Sequence, residues 1–135
     1  MLPRRIEALA LTGRQFVAVA AGSFHDLALT KEGELYGWGI GRANGHGRDE
    51  RTPQRVTALI GQPVNHVVSG DYSSCAVTEK GEPYIWGTSV FGELGHGDDS
   101  AQQAPKRVEG LDGVKVAAAA MCFTHTLVAD EDGVV

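Results

Sequence analysis

The sequence contains few of the residues that mark several common protein classes. Only two of its 135 residues are cysteine, aromatic residues make up 7%, and 12 lysine and arginine residues face 17 aspartate and glutamate residues. The formal charge of -5 has the wrong sign for a domain that binds by neutralising phosphates, so no nucleic-acid partner is expected. Cys75 and Cys122 show no paired spacing typical of a disulfide framework or a metal knuckle, and both are predicted to be buried free thiols.

Long apolar segments are missing as well. Residues 1–7 lack the apolar core of a secretion signal, and no apolar run elsewhere approaches the length of a membrane span. We therefore expect an intracellular protein without a membrane partner. The sequence does not distinguish a cytoplasmic, nuclear or ciliary location.

Glycine is abundant, with 18 residues, about twice the average usage, and it accompanies an internal repeat. The pattern Pro-x-Arg-aliphatic begins at Pro3, Pro53 and Pro105, and a leucine follows six residues after each proline. The period is about fifty residues, which is typical of stacked repeat units. The predicted repeats are residues 3–52, residues 53–104 and a truncated third repeat at residues 105–135.

A second block recurs in register: a glycine, a short apolar strand and an acidic turn ending in glycine, followed in the first two repeats by Trp-Gly and Gly-His-Gly. The positions predicted to have structural roles in this block are Gly22, His25, Gly33, Trp38, Gly39, Gly70, Gly81, Trp86, Gly87, Gly95, His96, Gly97, His125 and Gly133. In the third copy Cys122 stands where a glycine is expected. The glycines are assigned to turns and to close backbone approach.

The runs between turns indicate strands rather than helices. They are four to seven residues long, rich in valine, alanine, leucine and aromatic residues, and bounded by turns such as Lys31-Glu32-Gly33. The alanine-rich run at residues 114–120 is also predicted as a strand, because its equivalents in the other repeats are β-branched. The chain is therefore predicted to be all-β, with antiparallel four-stranded blades of a β-propeller, about two and a half blades in number.

The order of these elements resembles the repeats of the regulator of chromosome condensation family. The best copy runs from Pro53 to Gly97 and includes the run Gly92-Glu93-Leu94-Gly95-His96-Gly97. The resemblance implies a propeller that is usually seven-bladed, so the ring is expected to be incomplete in this chain. Self-association, another chain or a longer parent chain is then needed to cover the open blade faces.

No constellation of residues predicts catalysis, and no cofactor or metal is expected. Equivalent histidines in successive blades lie roughly 10 Å apart, whereas zinc ligands lie about 2 Å from one ion. Ser23, His25 and Asp26 are neighbours in one strand, so their side chains alternate between faces and cannot form a relay. His25 and His125 are expected to bond backbone near the turns, and Trp38 and Trp86 to pack between blades.

A surface remains as the candidate site. Phe24 and Tyr72 occupy the same repeat position, beside Ser23 and Asp71, and aromatic residues on loops are enriched among binding hot spots. The loops at residues 40–44 and 88–91 differ between copies, and they add Arg42, Asn44 and Phe91 to the predicted face. The alternative is that the two rings pack under the neighbouring blade.

The function predicted from these features is a non-enzymatic protein-interaction or scaffold module within a larger protein or assembly. Its partners are expected to be proteins, either assembly subunits or a small GTPase. The alternative function, implied by the family resemblance, is guanine-nucleotide exchange on a small GTPase.

Overall fold

The computed structural model describes residues 4–134 as a short helix followed by ten strands in three antiparallel sheets. Pro3, where the first predicted repeat begins, and Val135, where the third ends, lie outside the described residues. The first sheet has four strands in chain order: β1 (Phe16–Ala21), β2 (His25–Thr30), β3 (Leu35–Gly39) and β4 (Glu50–Arg55).

The second sheet repeats this arrangement and the third repeats its first half. The second sheet consists of β5 (Val64–Ser69), β6 (Ser73–Thr78), β7 (Pro83–Gly87) and β8 (Gln102–Arg107). The third consists of β9 (Val116–Met121) and β10 (Thr126–Asp130). The predicted all-β class and the two and a half antiparallel blades are confirmed, including the strand predicted in the alanine-rich run.

The hairpin between the second and third strand of each full sheet depends on glycine. Gly33 and Gly81 have φ angles of +81° and +80°, a left-handed conformation that a side chain disfavours. Each also lies against the following sheet, because a Cβ at Gly33 would come 2.9 Å from Pro63 Cα, and one at Gly81 would come 2.9 Å from Lys115 Cα. The turn glycine is therefore fixed both by backbone conformation and by packing between sheets.

The boundaries of the predicted sequence repeats fall inside the outer strands of the two full sheets. Pro53 and Pro105, which open the second and third predicted repeats, lie in the outer strands β4 and β8. β4 pairs with β3 through Tyr36 and Arg55, and β8 pairs with β7 through Tyr84 and Arg107. The fourth strand of each full sheet thus begins in one predicted sequence repeat and ends in the next.

Three short helical segments were not predicted. They are the helix α1 (Glu7–Ala10) and the 3₁₀ turns Thr57–Leu59 and Glu109–Leu111. Each contains the leucine that follows the repeated proline by six residues. Leu59 is buried in the first core, so the repeated leucine signals a helical turn that leads from an outer strand to the next sheet.

Two hydrophobic cores lie between successive sheets. The first joins Leu27, Leu29 and Leu35 of the first sheet to Val67 and Trp86 of the second. The second core packs residues of the second sheet, among them Cys75, Val77 and Ile85, together with Val116 of the third. Apolar side chains are therefore buried between the faces of successive sheets, and this burial stabilises the fold.

The outermost faces of the first and third sheets expose apolar side chains. Val17 and Val19 of β1 are 56% and 75% exposed, and Leu127 of β10 is 52% exposed. These valines alternate along β1 with Ala18 and Ala20, which pack towards the second sheet. A strand that is apolar on both faces is typical of a sheet stacked between two others.

Candidate functional site

Two tight turns place the predicted aromatic pair at one end of the sheets. Gly22 N donates to His25 O at 2.8 Å, and Gly70 N donates to Ser73 O at 2.9 Å, which closes the first turn of each sheet. Each turn presents its ring just before the second strand. Phe24 and Tyr72 are stacked, with ring centroids 5.2 Å apart and planes inclined by 22°.

Two more rings extend the pair into a row across all three sheets. Phe123, from the equivalent turn of the third sheet, meets Tyr72 edge-on at 6.4 Å, and Phe91, from the 88–91 loop, meets Phe123 at 5.9 Å. We call Phe24, Tyr72, Phe123 and Phe91 the aromatic row. Three of its members, Phe24, Phe91 and Phe123, are 57%, 60% and 45% exposed. The structure thus leaves much of this aromatic surface in water.

The row borders a recess of about 410 Å³. The residues that line this recess are Phe24, Ile40, Arg42, Tyr72, Thr88, Val90 and Phe123. The lining combines apolar side chains with a single cationic side chain, a composition that suits a partner's apolar or aromatic residue flanked by an acceptor. Val90 is 54% exposed and adds to the open apolar surface.

A buried carboxylate holds the loop that carries Phe91. Glu93 is 8% exposed, and its Oε2 accepts hydrogen bonds from Val90 N at 3.0 Å and Phe91 N at 2.8 Å. Hydrogen bonds to a charged acceptor are among the stronger ones in proteins. The loop is therefore fixed before any partner binds, which reduces the entropy lost on binding.

The remaining predicted face residues divide into surface and interior. Ser23 and Arg42 are exposed, and Asp71 is partly buried beside Tyr72. Asn44 is fully buried, so its assignment to the binding face was wrong. Its Nδ2 donates to Gly39 O at 3.0 Å and to Arg48 O at 2.9 Å, which ties its loop to the sheet.

Phe123 is the member of the row that sequence reasoning missed. It aligns with Ser23 and Asp71 rather than with Phe24 and Tyr72, because Cys122 occupies the equivalent of Gly22. The repeat position therefore gave no aromatic signal there. The signal that the sequence did contain was an aromatic residue next to a repeated turn.

The histidines have partners that the sequence did not indicate. His25 Nε2 lies 2.7 Å from Ser74 Oγ in the next sheet, and His25 also forms a hydrogen bond with the backbone of Ser73 at the turn of that sheet. The ring of His125 lies against Cys122 Sγ. His66, for which no partner was predicted, donates to Ala119 O of the third sheet at 3.2 Å. Histidines therefore help to join the sheets.

The two tryptophans at the same repeat position have different surroundings. Trp86 is fully buried between the first and second sheets. Packing between blades was predicted for both tryptophans. Trp38 is only partly buried, and it hydrogen-bonds Asp26 on its own sheet. Burial raises the pKa of Asp26, and the bond from Trp38 opposes this rise.

Burial shifts the pKa values of two side chains inside the sheets. Burial lowers the pKa of His25 to about 4 and raises the pKa of Cys75 to about 12. Both cysteines were predicted to be buried, but Cys122 is exposed. Within residues 4–134, no group of three or more His, Cys, Asp or Glu side chains is placed to hold a metal ion. None of the helices in this described part is long and apolar enough to cross a membrane.

Two family models match the chain. Both describe the regulator of chromosome condensation (RCC1) repeat, one over residues 16–48 and the other over residues 80–129. The chain is built of RCC1 repeats. The two matches cover the first three strands of the first sheet and the segment from the turn before β7 into β10.

Curated proteins with RCC1-like sequence include a receptor and a ligase. The chain is 34% identical to the ultraviolet-B receptor UVR8 of Arabidopsis thaliana, over 98% of the chain and 31% of the receptor. It is 35% identical to the human E3 ubiquitin-protein ligase HERC2, over 93% of the chain and 3% of the ligase. The chain thus spans less than a third of either relative.

A solved propeller shows the same arrangement of RCC1 repeats. Yeast RCC1 (Prp20), in a crystal structure with Kap60, superposes with a TM-score of 0.70 at 28% identity. The match covers 89% of this chain and 28% of that one. The three sheets are therefore successive parts of a β-propeller.

Proposed function

We propose that the chain is a non-enzymatic protein-interaction module and that the aromatic row is its binding surface. The observation that carries the proposal is a row of four neighbouring rings, three of them exposed, contributed by three successive sheets at one end of the fold. Large apolar side chains grouped in water are unfavourable for an isolated chain and mark interaction sites. Rings held by well-ordered turns also lose little conformational entropy on binding.

Two further observations support a protein partner over a small substrate. The recess beside the row is open and lined mainly by apolar side chains, with Arg42 at its edge, which resembles an interface more than an enclosed reaction site. The similar proteins include a receptor, a ubiquitin-protein ligase and a yeast protein solved with Kap60. What they share with this chain is the repeat, and a docking role suits that common element.

Guanine-nucleotide exchange on a small GTPase is the alternative, and it draws on the family resemblance alone. No residue of the row has a geometry specific to exchange. Self-association or a longer parent chain, which would cover Val17, Val19 and Leu127, likewise stays a prediction. The interaction proposal holds whichever of these covers the outer faces, because the row lies at the ends of the sheets.

The experiment compares proteins retained by three forms of the purified chain: wild type, the double variant Phe24→Ala/Tyr72→Ala, and the control Ile60→Ala. Ile60 is 57% exposed and follows a 3₁₀ turn away from the row, so the control removes apolar surface elsewhere. Thermal unfolding verifies that all three are folded. Quantitative mass spectrometry then measures retention from a native extract.

At least one protein is expected to be retained by wild type and control, and to fall about tenfold with the double variant. The affinity of that protein for purified wild type and control should likewise exceed its affinity for the double variant. If a folded double variant retains the same proteins in the same amounts as wild type, the row is not the binding surface.

A further inference from the structure

The recess beside the aromatic row is formed mainly by the two full sheets. Six of its seven lining residues come from these sheets and their loops, and Phe123 comes from the third. The residues from the first sheet are Phe24, Ile40 and Arg42, and those from the second are Tyr72, Thr88 and Val90. The recess therefore lies over the junction between two complete sheets.

Arg42 gives this recess its charge. Among the described residues, it is the only charged one that lines the recess. Its side chain is exposed, and none of the ion pairs formed within residues 4–134 involves it. A guanidinium presents its N–H donors in a planar fork that matches a carboxylate. These donors are therefore available to an acceptor on a partner, at the edge of an apolar surface.

The backbone on both sides of Arg42 is fixed. Before it, Gly41 N donates to Asp49 Oδ1 at 2.8 Å. After it, Ala43 is fully buried, and its carbonyl accepts a hydrogen bond from Trp86 Nε1 of the second sheet at 2.8 Å. The loop thus positions the arginine before a partner binds, which reduces the entropy lost on binding.

The equivalent position of the second loop has no charge. Ala43 O and Glu93 O accept equivalent hydroxyl bonds from the next sheet. Arg42 and Gly92 directly precede these two residues and therefore correspond to each other. The second loop instead exposes Val90, which is 54% exposed. The recess is thus cationic on the side of the first sheet and apolar on the side of the second.

The remaining charge of the chain limits how acidic a partner segment can be. The formal net charge is -5, and the partly buried Asp71 directly precedes Tyr72. A run of acidic residues would be repelled by this field, and phosphorylated segments are typically held by clusters of arginines. A single carboxylate is the anion that a single guanidinium suits best.

We propose that the recess binds a short peptide segment in which one aspartate or glutamate lies near a large apolar side chain. The carboxylate accepts hydrogen bonds from Arg42, and the apolar side chain packs against the rings of Phe24 and Tyr72. This inference rests on the proposed function, because it uses the same surface, and it adds the chemistry of the partner. Arg42 is then the residue that favours acidic segments over purely apolar ones.

The experiment selects binders for the folded wild-type chain from a library of short random peptides displayed on phage. The selected peptides are expected to carry an acidic residue near a large apolar one. Fluorescence anisotropy then measures their Kd values with wild type, Arg42→Gln and the control Lys31→Gln. Lys31 is an exposed residue in the turn after β2, at the other end of the sheets from the row, so the control removes the same charge elsewhere.

Each selected peptide is also made with its acidic residue replaced by the corresponding amide. Wild type and Lys31→Gln should bind the acidic form about tenfold more tightly than the amide form. Arg42→Gln should bind the two forms equally, because the interaction is lost from either side. Added salt should reduce the preference of wild type. Circular dichroism checks folding, and Arg42→Lys, which keeps the charge without the fork, provides a second variant with an intermediate preference.

Two outcomes would overturn the inference. One is a folded Arg42→Gln that keeps the wild-type preference for the acidic form, and the other is a selection that yields no peptide with this preference. The double variant Phe24→Ala/Tyr72→Ala separates this test from that of the proposed function. Peptides that need the two rings but show no acidic preference would refute the role of Arg42 and leave the aromatic row as the binding surface. Peptides that bind the double variant as tightly as wild type would contradict both.

Discussion

The two junctions between sheets use different chemistry at equivalent positions. At the first junction His25 Nε2 donates to Ser74 Oγ at 2.7 Å, and Ser74 Oγ donates to Ala43 O at 2.9 Å. Trp86 Nε1 donates to the same carbonyl at 2.8 Å. One carbonyl of the first sheet's loop therefore accepts a hydroxyl and an indole from the second sheet, deep inside the contact.

The second junction keeps only part of this arrangement. Thr126 Oγ1 donates to Glu93 O at 2.8 Å, which reproduces the hydroxyl-to-carbonyl bond. Ser73 stands where the first junction has its histidine, and its hydroxyl donates to Met121 Sδ at 3.4 Å, a weaker bond. The comparison teaches that the hydroxyl-to-carbonyl bond is common to both junctions, whereas the histidine of the first junction is replaced by Ser73 at the second.

Replacement of the buried tryptophan should have the largest effect on this comparison. Trp86→Ala removes a fully buried ring and its hydrogen bond from the first junction, so we expect the free energy of unfolding to fall by about 3–5 kcal/mol. Trp38→Ala at the same repeat position should cost on the order of 1 kcal/mol, because Trp38 is only partly buried. Urea unfolding measures both values. Equal losses would show that the junction does not depend on the buried indole.

Acid should weaken the first junction through His25. Burial lowers the pKa of His25 from 6.5 to about 4, and a hydrogen bond with the backbone of Ser73 acts in the opposite direction. Between these values the unfolded chain binds the proton more readily, so stability is full above pH 6.5 and falls as the pH drops towards 4. The loss should reach about 3 kcal/mol.

The measurement compares the pH dependence of urea unfolding in wild type and His25→Gln. Carboxylates contribute in both proteins, so the difference between the two curves isolates the histidine. The difference should change steadily from pH 6.5 to pH 4. Parallel curves over this range would contradict the assignment.

The smallest expected effect concerns the second junction. His66 donates to Ala119 O at 3.2 Å from a partly buried position, and a bond of this kind contributes about 1 kcal/mol. His66→Ala should lower the free energy of unfolding by that amount. Asn65→Ala, an exposed neighbour on β5, is the control and should change it by less than half as much. If Asn65→Ala had the larger effect, strand β5 itself, rather than the His66 hydrogen bond, would provide the stabilisation.

Most of the fold could be predicted from the sequence because its signals are local and occur more than once. Turn glycines such as Gly33 and Gly81 mark the hairpins, and the short apolar runs between turns, such as β1, mark the strands. The candidate site was predicted less completely. Phe24 and Tyr72 share a repeat position and were found together, whereas Phe123 and the buried Asn44 depend on how loops meet in space.

The sequence by itself determined the antiparallel blades and the period of about fifty residues, since these depend on turn chemistry and on the short apolar runs between turns. Only the tertiary structure decided which tryptophan is buried, which histidine reaches the next sheet and which cysteine is exposed. Trp38 and Trp86, like Cys75 and Cys122, are alike as residues and differ in what packs against them. That packing joins residues about fifty positions apart, and no local pattern specifies it.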